Sequence, residues 1–299
     1  MNDVRKRFLN YIQYEKRLSP NTLVAYEQDI NQFQSFIEAN FQHTDLLTAN
    51  SSMIRSWTIS LIEKKDAATT VNRKISCLKS FYKFQLKSGV VSQNPTAKII
   101  RPKTPKRLPK DVAANKLQDI KDKLEIGLSE DSFDTRRDYT MFMTFYLCGI
   151  RRSELMEMRW SQIDLAKRQI SVVGKGKKQR LIPVDDRLIK LLSEYRNELN
   201  AHNIVTEEDR VFVLTNGKKL YPNFIYRTIK NYLSEVTSQK GIGPHSLRHS
   251  FATHLLNEGA ELNAIKGLLG HSSLASTQVY THNSIEKLKH IHKLSHPKS

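Results

Sequence analysis

From Leu23 through Tyr26, Ile30, Phe33 and Ile37, apolar residues return every three or four positions, the period of a helix with one buried face. Ser19 and Pro20 stand just ahead, a capping hydroxyl and a proline suited to the first helical position. The same period predicts a second helix over about 51–64, with Met53, Ile54, Trp57 and Leu61 inward. A third is predicted over about 66–86, with Val71, Ile75, Leu78, Tyr82 and Leu86 inward, stopped by Gly89. Residues 138–148 form an apolar helix that halts at Gly149, followed by the apolar positions Leu155, Met156, Met158 and Trp160. The pattern then shortens: Ile163, residues 170–173 and residues 181–184 read as short strands, and GKGKK at 174–178 is a hairpin tip. Further on, Leu247, Phe251, Leu255 and Leu256 return to helical spacing until Gly259. A short helix over 263–269 ends at Gly270, and Ser272 or Ser273 caps another that carries Tyr280. These elements describe a mainly α protein with one small three-stranded antiparallel sheet.

Length and charge divide the chain and name its class of partner. At 299 residues it is long enough for two domains, at ~150 residues each. RPKTPKRLPK at 101–110 holds three prolines that forbid a helix and five basic residues that adhere to phosphate. We therefore expect a helical domain over 1–100, a basic linker over 101–112 and a second domain over 113–299. Lys and Arg total 48 against 30 Asp and Glu, a net charge of +18, which favours a polyanion. Lys79, Lys83 and Lys87 form a like-charged row at i, i+4 spacing, favourable where an anion lies alongside. No apolar run approaches the ~20 residues of a membrane span, and no signal peptide is evident. Cys77 and Cys148 sit in apolar helical contexts and read as buried free thiols in a reducing cytoplasm.

The candidate chemistry gathers in residues 241–283. His245 and Arg248 are three apart and share a helix face, with the apolar residues expected on the opposite one. His271 follows Gly270 at a turn, and Tyr280 comes nine residues later. His245 and His249 have the i, i+4 spacing of metal ligands, but no HExxH glutamate or cysteine cluster completes a site, so no metal is expected. His249 and His254 are assigned to packing. Taken jointly, H-x-x-R, then LLGH, then the tyrosine resemble the C-terminal signature of the tyrosine recombinases, the phage integrase family. HSLRHSFATHLL and LLGHSSLASTQVYTH are most similar to its Xer branch. GIRRSEL and VVGKGKKQRLIPV resemble the family's first arginine motif and hairpin lysine, while LSPNTLVAYEQDINQFQSFI and VNRKISCLKSFYKF resemble its core-binding domain. The likeness runs from about Val4 to Pro297.

The resemblance implies a SAM-like N-terminal bundle that clamps DNA, an α+β catalytic domain, and six catalytic residues: Arg151, Lys175, His245, Arg248, His271 and the nucleophile Tyr280. Glu154 would orient the pocket. Arg151 and Arg248 would fork onto the phosphate oxygens, His245 would take the phenol proton, His271 would bond the phosphate, and Lys175 would protonate the departing 5′ oxygen. The product would be a 3′-phosphotyrosine, whose bond energy makes ATP unnecessary; no P-loop, metal or other cofactor is expected. Double-stranded DNA would lie against Lys79, Lys83, Lys87, Arg101, Lys103, Lys106, Arg107, Lys110, Lys177 and Lys178. The family pattern further implies a cyclic tetramer on two DNA sites, with a paralogous recombinase and a DNA-translocase activator as optional partners. The resemblance would place it in the cytoplasm, at the nucleoid, with a role in chromosome dimer resolution. Asn283 and Glu286 have the spacing of a capping pair. With the stripe Ile285, Leu288, Ile291 and Leu294, they mark about 284–299 as a terminal helix, exchanged with a neighbour or docked on its own domain. Transposon or phage integration, a type IB topoisomerase and a non-catalytic DNA-binding protein stay open as alternatives.

Overall fold

The computed structural model describes residues 2–43, 45–104, 111–127, 132–174, 179–239 and 241–270. Two compact units divide the chain, Met1–Arg107 and Leu108–Ser299.

The first unit is all helical. α1 (Asn2–Asn10) runs into a π-helical turn at Tyr11–Glu15, followed by α2 (Pro20–Phe41), α3 (Ser51–Glu63) and α4 (Ala68–Lys87). Local chemistry sets the starts: the Ser19 hydroxyl accepts from Thr22 N at 3.3 Å ahead of Pro20, and the Asn50 side chain accepts from Ser52 N at 2.9 Å. Such caps satisfy N–H groups that a first helical turn leaves unpaired. Ile30, Phe33, Ile37, Ile54, Trp57, Val71, Ile75, Leu78 and Tyr82 fill the core as their spacing predicts. α1 adds an element that the periodicity above does not claim, seating Phe8 edge-on against Phe81 at 5.3 Å. Leu86 departs from expectation and is 42% exposed. The inner stripe steps by three from Tyr82, so Gln85 takes the buried position instead.

The second unit wraps helices around a buried one. α5 (Ala114–Gly127), α6 (Phe133–Cys148) and α7 (Arg152–Met156) precede the sheet. β1 (Ile163–Asp164), β2 (Gln169–Val173) and β3 (Gln179–Pro183) follow in the order β1-β2-β3, all antiparallel. α8 (Asp186–Ala201), α9 (Pro222–Val236), α10 (Pro244–Asn257) and α11 (Leu262–Leu269) complete it. α6 begins five residues before the expected start and is buried on every side from Tyr139 to Cys148, because other helices cover all its faces. Ile170 pairs with Ile182 and Val172 with Arg180, and all four side chains are buried. α8 presents Leu188, Leu191, Leu192, Tyr195 and Leu199 to the same core. On α10 the expectation for Leu256 is corrected: it is 49% exposed, since Leu255 takes the inner position beside Phe251.

Cys77 and Cys148 are buried free thiols, and burial raises the pKa of each. Among the described residues no helix is long and apolar enough to cross a membrane.

Candidate active site

The site begins where α6 ends. Gly149 takes φ +56°, and a Cβ there would lie 2.3 Å from the Phe251 ring, so the chain reverses in direct contact with α10. Arg151 follows, immediately before α7. Glu154, in the first turn of α7, accepts the Arg151 backbone N–H at 2.8 Å and Arg151 Nη1 at 2.7 Å. Arg180 reaches the same carboxylate from β3, Nη1 to Oε1 at 2.9 Å and Nη2 to Oε2 at 2.7 Å. Four donors thus fill the lone-pair positions of two oxygens. Burial alone would raise the Glu154 pKa. The hydrogen bonds from Arg180 and the Arg151 backbone, with the Arg180 charge, outweigh it and hold the carboxyl at about 2.

The second anchor is the C-terminus of α11. A last helical turn leaves carbonyls without intrahelical partners and carries partial negative charge. Here three consecutive carbonyls each receive an arginine. Arg180 Nε donates to Leu268 O at 2.7 Å, Arg248 Nη2 to Leu269 O, and Arg151 Nη2 to Gly270 O at 3.0 Å. Gly270 closes the helix at φ +64°, its α-carbon beside the Arg180 side chain. Arg248 also donates through Nη1 to Gly149 O, tying the end of α6 to the end of α11. Burial, then the neighbouring charge of Arg151, lowers its pKa to about 10; Glu154 opposes this and Arg180 adds to it. Three guanidiniums therefore face one carboxylate. Arg151 and Arg248 each keep three N–H groups that no described residue engages, a fork suited to phosphate oxygens.

Of the residues singled out by sequence, Arg151, Glu154 and Arg248 meet in this cluster. His245 lies in the first turn of α10, exposed, while Arg248 is only 8% exposed. The expected division of α10 into a polar and an apolar face is therefore corrected. Arg248 sits on the buried side because backbone carbonyls solvate its guanidinium. Lys175, His271 and Tyr280 lie outside the described residues, as do Lys106, Arg107, Lys110, Lys177, Lys178 and the segment 284–299. His254 packs edge-on against Tyr146 at 6.1 Å, and burial lowers its pKa.

In the helical unit, Lys83, Lys87 and Lys103 are exposed. Lys79 is half-buried and donates to Ile99 O at 3.2 Å, and Arg101 donates to Ser76 Oγ at 3.0 Å. With Asn72 Nδ2 on Pro102 O at 3.0 Å, these bonds fasten residues 99–102 along α4.

Arg180 is the member of the cluster that no sequence motif above singles out. Its signal is the strand period: Arg180 and Ile182 are two apart and point to one face, and Ile182 belongs to the core. An arginine in register with buried isoleucine needs a buried partner.

Comparison with known proteins agrees with this architecture. The profile of the phage integrase family matches residues 110–287, and that of the phage integrase N-terminal SAM-like domain matches residues 6–89. Tyrosine recombinase XerC of Chlorobaculum parvum is 33% identical over 312 residues, covering 97% of this chain and 93% of that protein. Tyrosine recombinase XerD of Staphylococcus epidermidis is 32% identical over 305 residues, covering 100% of both. In fold, the chain is similar to the XerH site-specific recombinase in a post-cleavage complex with its palindromic difH substrate. That likeness has a TM-score of 0.70 and 18% identity over 96% of this chain and 93% of that one. With its paired domains, its arginine cluster and full-length relatives of this kind, the chain belongs to the phage integrase family of tyrosine site-specific recombinases.

Proposed function

We propose that this recombinase cuts and rejoins double-stranded DNA through a 3′-phosphotyrosine at Tyr280. The carrying observation is the convergence of Arg151 and Arg248 on the end of α11, one residue before His271. Both guanidiniums retain donors for the non-bridging oxygens, where charge grows in the pentacoordinate transition state. In the step itself, the Tyr280 oxygen forms a bond to phosphorus and the bond from phosphorus to the 5′ oxygen breaks. His245 accepts the phenol proton, Lys175 gives one to the leaving 5′ oxygen, and His271 hydrogen-bonds the phosphate. A free tyrosine titrates near ~10, so the cationic cluster also favours its ionised form. Resealing reverses the step on another strand without ATP or metal.

The duplex would lie against Lys83, Lys87, Arg101 and Lys103 of the helical domain and against Lys177 and Lys178 of the hairpin. Full-length similarity to XerC and XerD supports a cyclic tetramer on two sites, joined by exchange of the helix at 284–299. It also supports a role in chromosome dimer resolution. The chemistry is tested with a nicked duplex recovered by selection from a random pool, on which cleavage traps a covalent adduct. Wild type should form the adduct, and Tyr280→Phe should bind the duplex within about threefold yet form none. Lys175→Ala should cleave poorly unless the 5′ oxygen is replaced by sulfur, which leaves without a proton. An adduct with Tyr280→Phe, or equal impairment of Lys175→Ala on both substrates, would contradict these assignments.

A further inference from the structure

Arg180 makes no provision for DNA. Its side chain is 8% exposed, and Nε, Nη1 and Nη2 are all engaged within the protein. Its importance lies in which partner it takes. An arginine and a carboxylate prefer a two-pronged pair. Glu154 is three residues from Arg151, close enough for that pairing, yet only one of its oxygens accepts from the Arg151 side chain. The two-pronged pair is made with Arg180 instead.

We propose that Arg180 is a positioning residue for strand cleavage: by occupying both oxygens of Glu154, it keeps that carboxylate from closing onto Arg151 and leaves Arg151 open toward a phosphate. The inference rests on the phosphoryl-transfer reading above. Without Arg180 the cluster drops from two net positive charges to one. The remaining carboxylate, buried and seeking a cation, has Arg151 as its nearest partner. Arg151 would then rotate into a paired state with fewer donors for the substrate. Arg180 also holds Leu268 O, so its loss would loosen the helix end that leads into His271. It belongs to β3, five residues after Lys175 in sequence, and so binds that strand to α7.

A charge-balancing role and a purely structural one differ in a double-mutant cycle. Single-turnover cleavage and duplex affinity are measured on the selected nicked duplex for wild type, Arg180→Gln, Glu154→Gln and the double variant. Arg180→Gln should slow cleavage by about 100-fold while affinity stays within about threefold, the scale of losing one transition-state donor. Adding Glu154→Gln should recover at least about tenfold of that loss, because a neutral amide cannot capture Arg151. A simple structural pin predicts the reverse, with the double variant no faster than Arg180→Gln, and that result overturns the proposal. Arg180→Lys, which keeps the charge but reaches one oxygen, provides the same comparison with and without Glu154→Gln should Arg180→Gln fail to fold. Absence of an adduct from wild type would defeat the phosphoryl-transfer reading itself. An adduct from wild type without recovery in the double variant defeats only the role given to Arg180.

Discussion

Arg248 donates to the carbonyl of Gly149, 99 residues earlier in the chain, and so fixes the reversal that delivers Arg151. That reversal depends on a missing side chain. Gly149 combines a left-handed backbone with a Cβ direction blocked by Phe251 at 2.3 Å. Gly149→Ala should destabilise the protein by about 2–4 kcal/mol, the sum of an unfavourable φ and an overpacked contact. Urea denaturation measures this. In a double-mutant cycle, Phe251→Ala should cost less in the Gly149→Ala background than in wild type, because there it also relieves the clash. Equal costs in both backgrounds would mean the clash is not the cause.

Glu154 makes stability depend on pH in a defined direction. Its folded pKa of about 2 lies below the ordinary glutamate value of 4.5, so between those values the unfolded chain binds more protons. The stabilisation is complete above 4.5 and is lost as pH falls toward 2. Glu154→Gln should therefore be less stable than wild type at neutral pH, with the gap narrowing through that acid window. Denaturation midpoints collected across the window check the sign. A constant gap would show that Glu154 does not titrate with folding.

The tail carries the assembly proposal. Ile285, Leu288, Ile291 and Leu294 make an apolar stripe in a basic terminal segment, and a terminal segment orders when it is tied down. A head-to-tail contact closes into a ring by rotation. Deleting residues 284–299 should leave binding to one half-site within about threefold, yet weaken cooperative filling of a full site by about tenfold or more. Gel-shift titrations on half and full sites distinguish the two. Unaltered synapsis and recombination by the truncated protein would disprove helix exchange.

Much of the fold is legible because burial follows spacing. Val71, Ile75, Leu78 and Tyr82 mark α4, and Leu188, Leu191, Leu192, Tyr195 and Leu199 would mark α8 on the same rule. The rule fails at Leu86, where a three-residue step to Gln85 and a four-residue step are both helical, and at Leu256, which lies five residues from Phe251 while Leu255 lies four. Arg151, Glu154 and Arg248 are legible through short motifs. Arg180 is not, because its meaning depends on Glu154 across 26 residues and on the end of a helix 88 residues away. A buried guanidinium is recognisable from its partners, and partners at that distance are a property of the tertiary structure.

The contact between Arg151 and Gly270 spans 119 residues. Loop closure over such lengths is slow, and it requires both ends to have left the ribosome. A nascent chain that has emerged only through β3 already carries Arg151, Glu154 and Arg180, but lacks Arg248 and the helix end that gathers them. The cation cluster therefore cannot assemble until the chain through Gly270 has emerged.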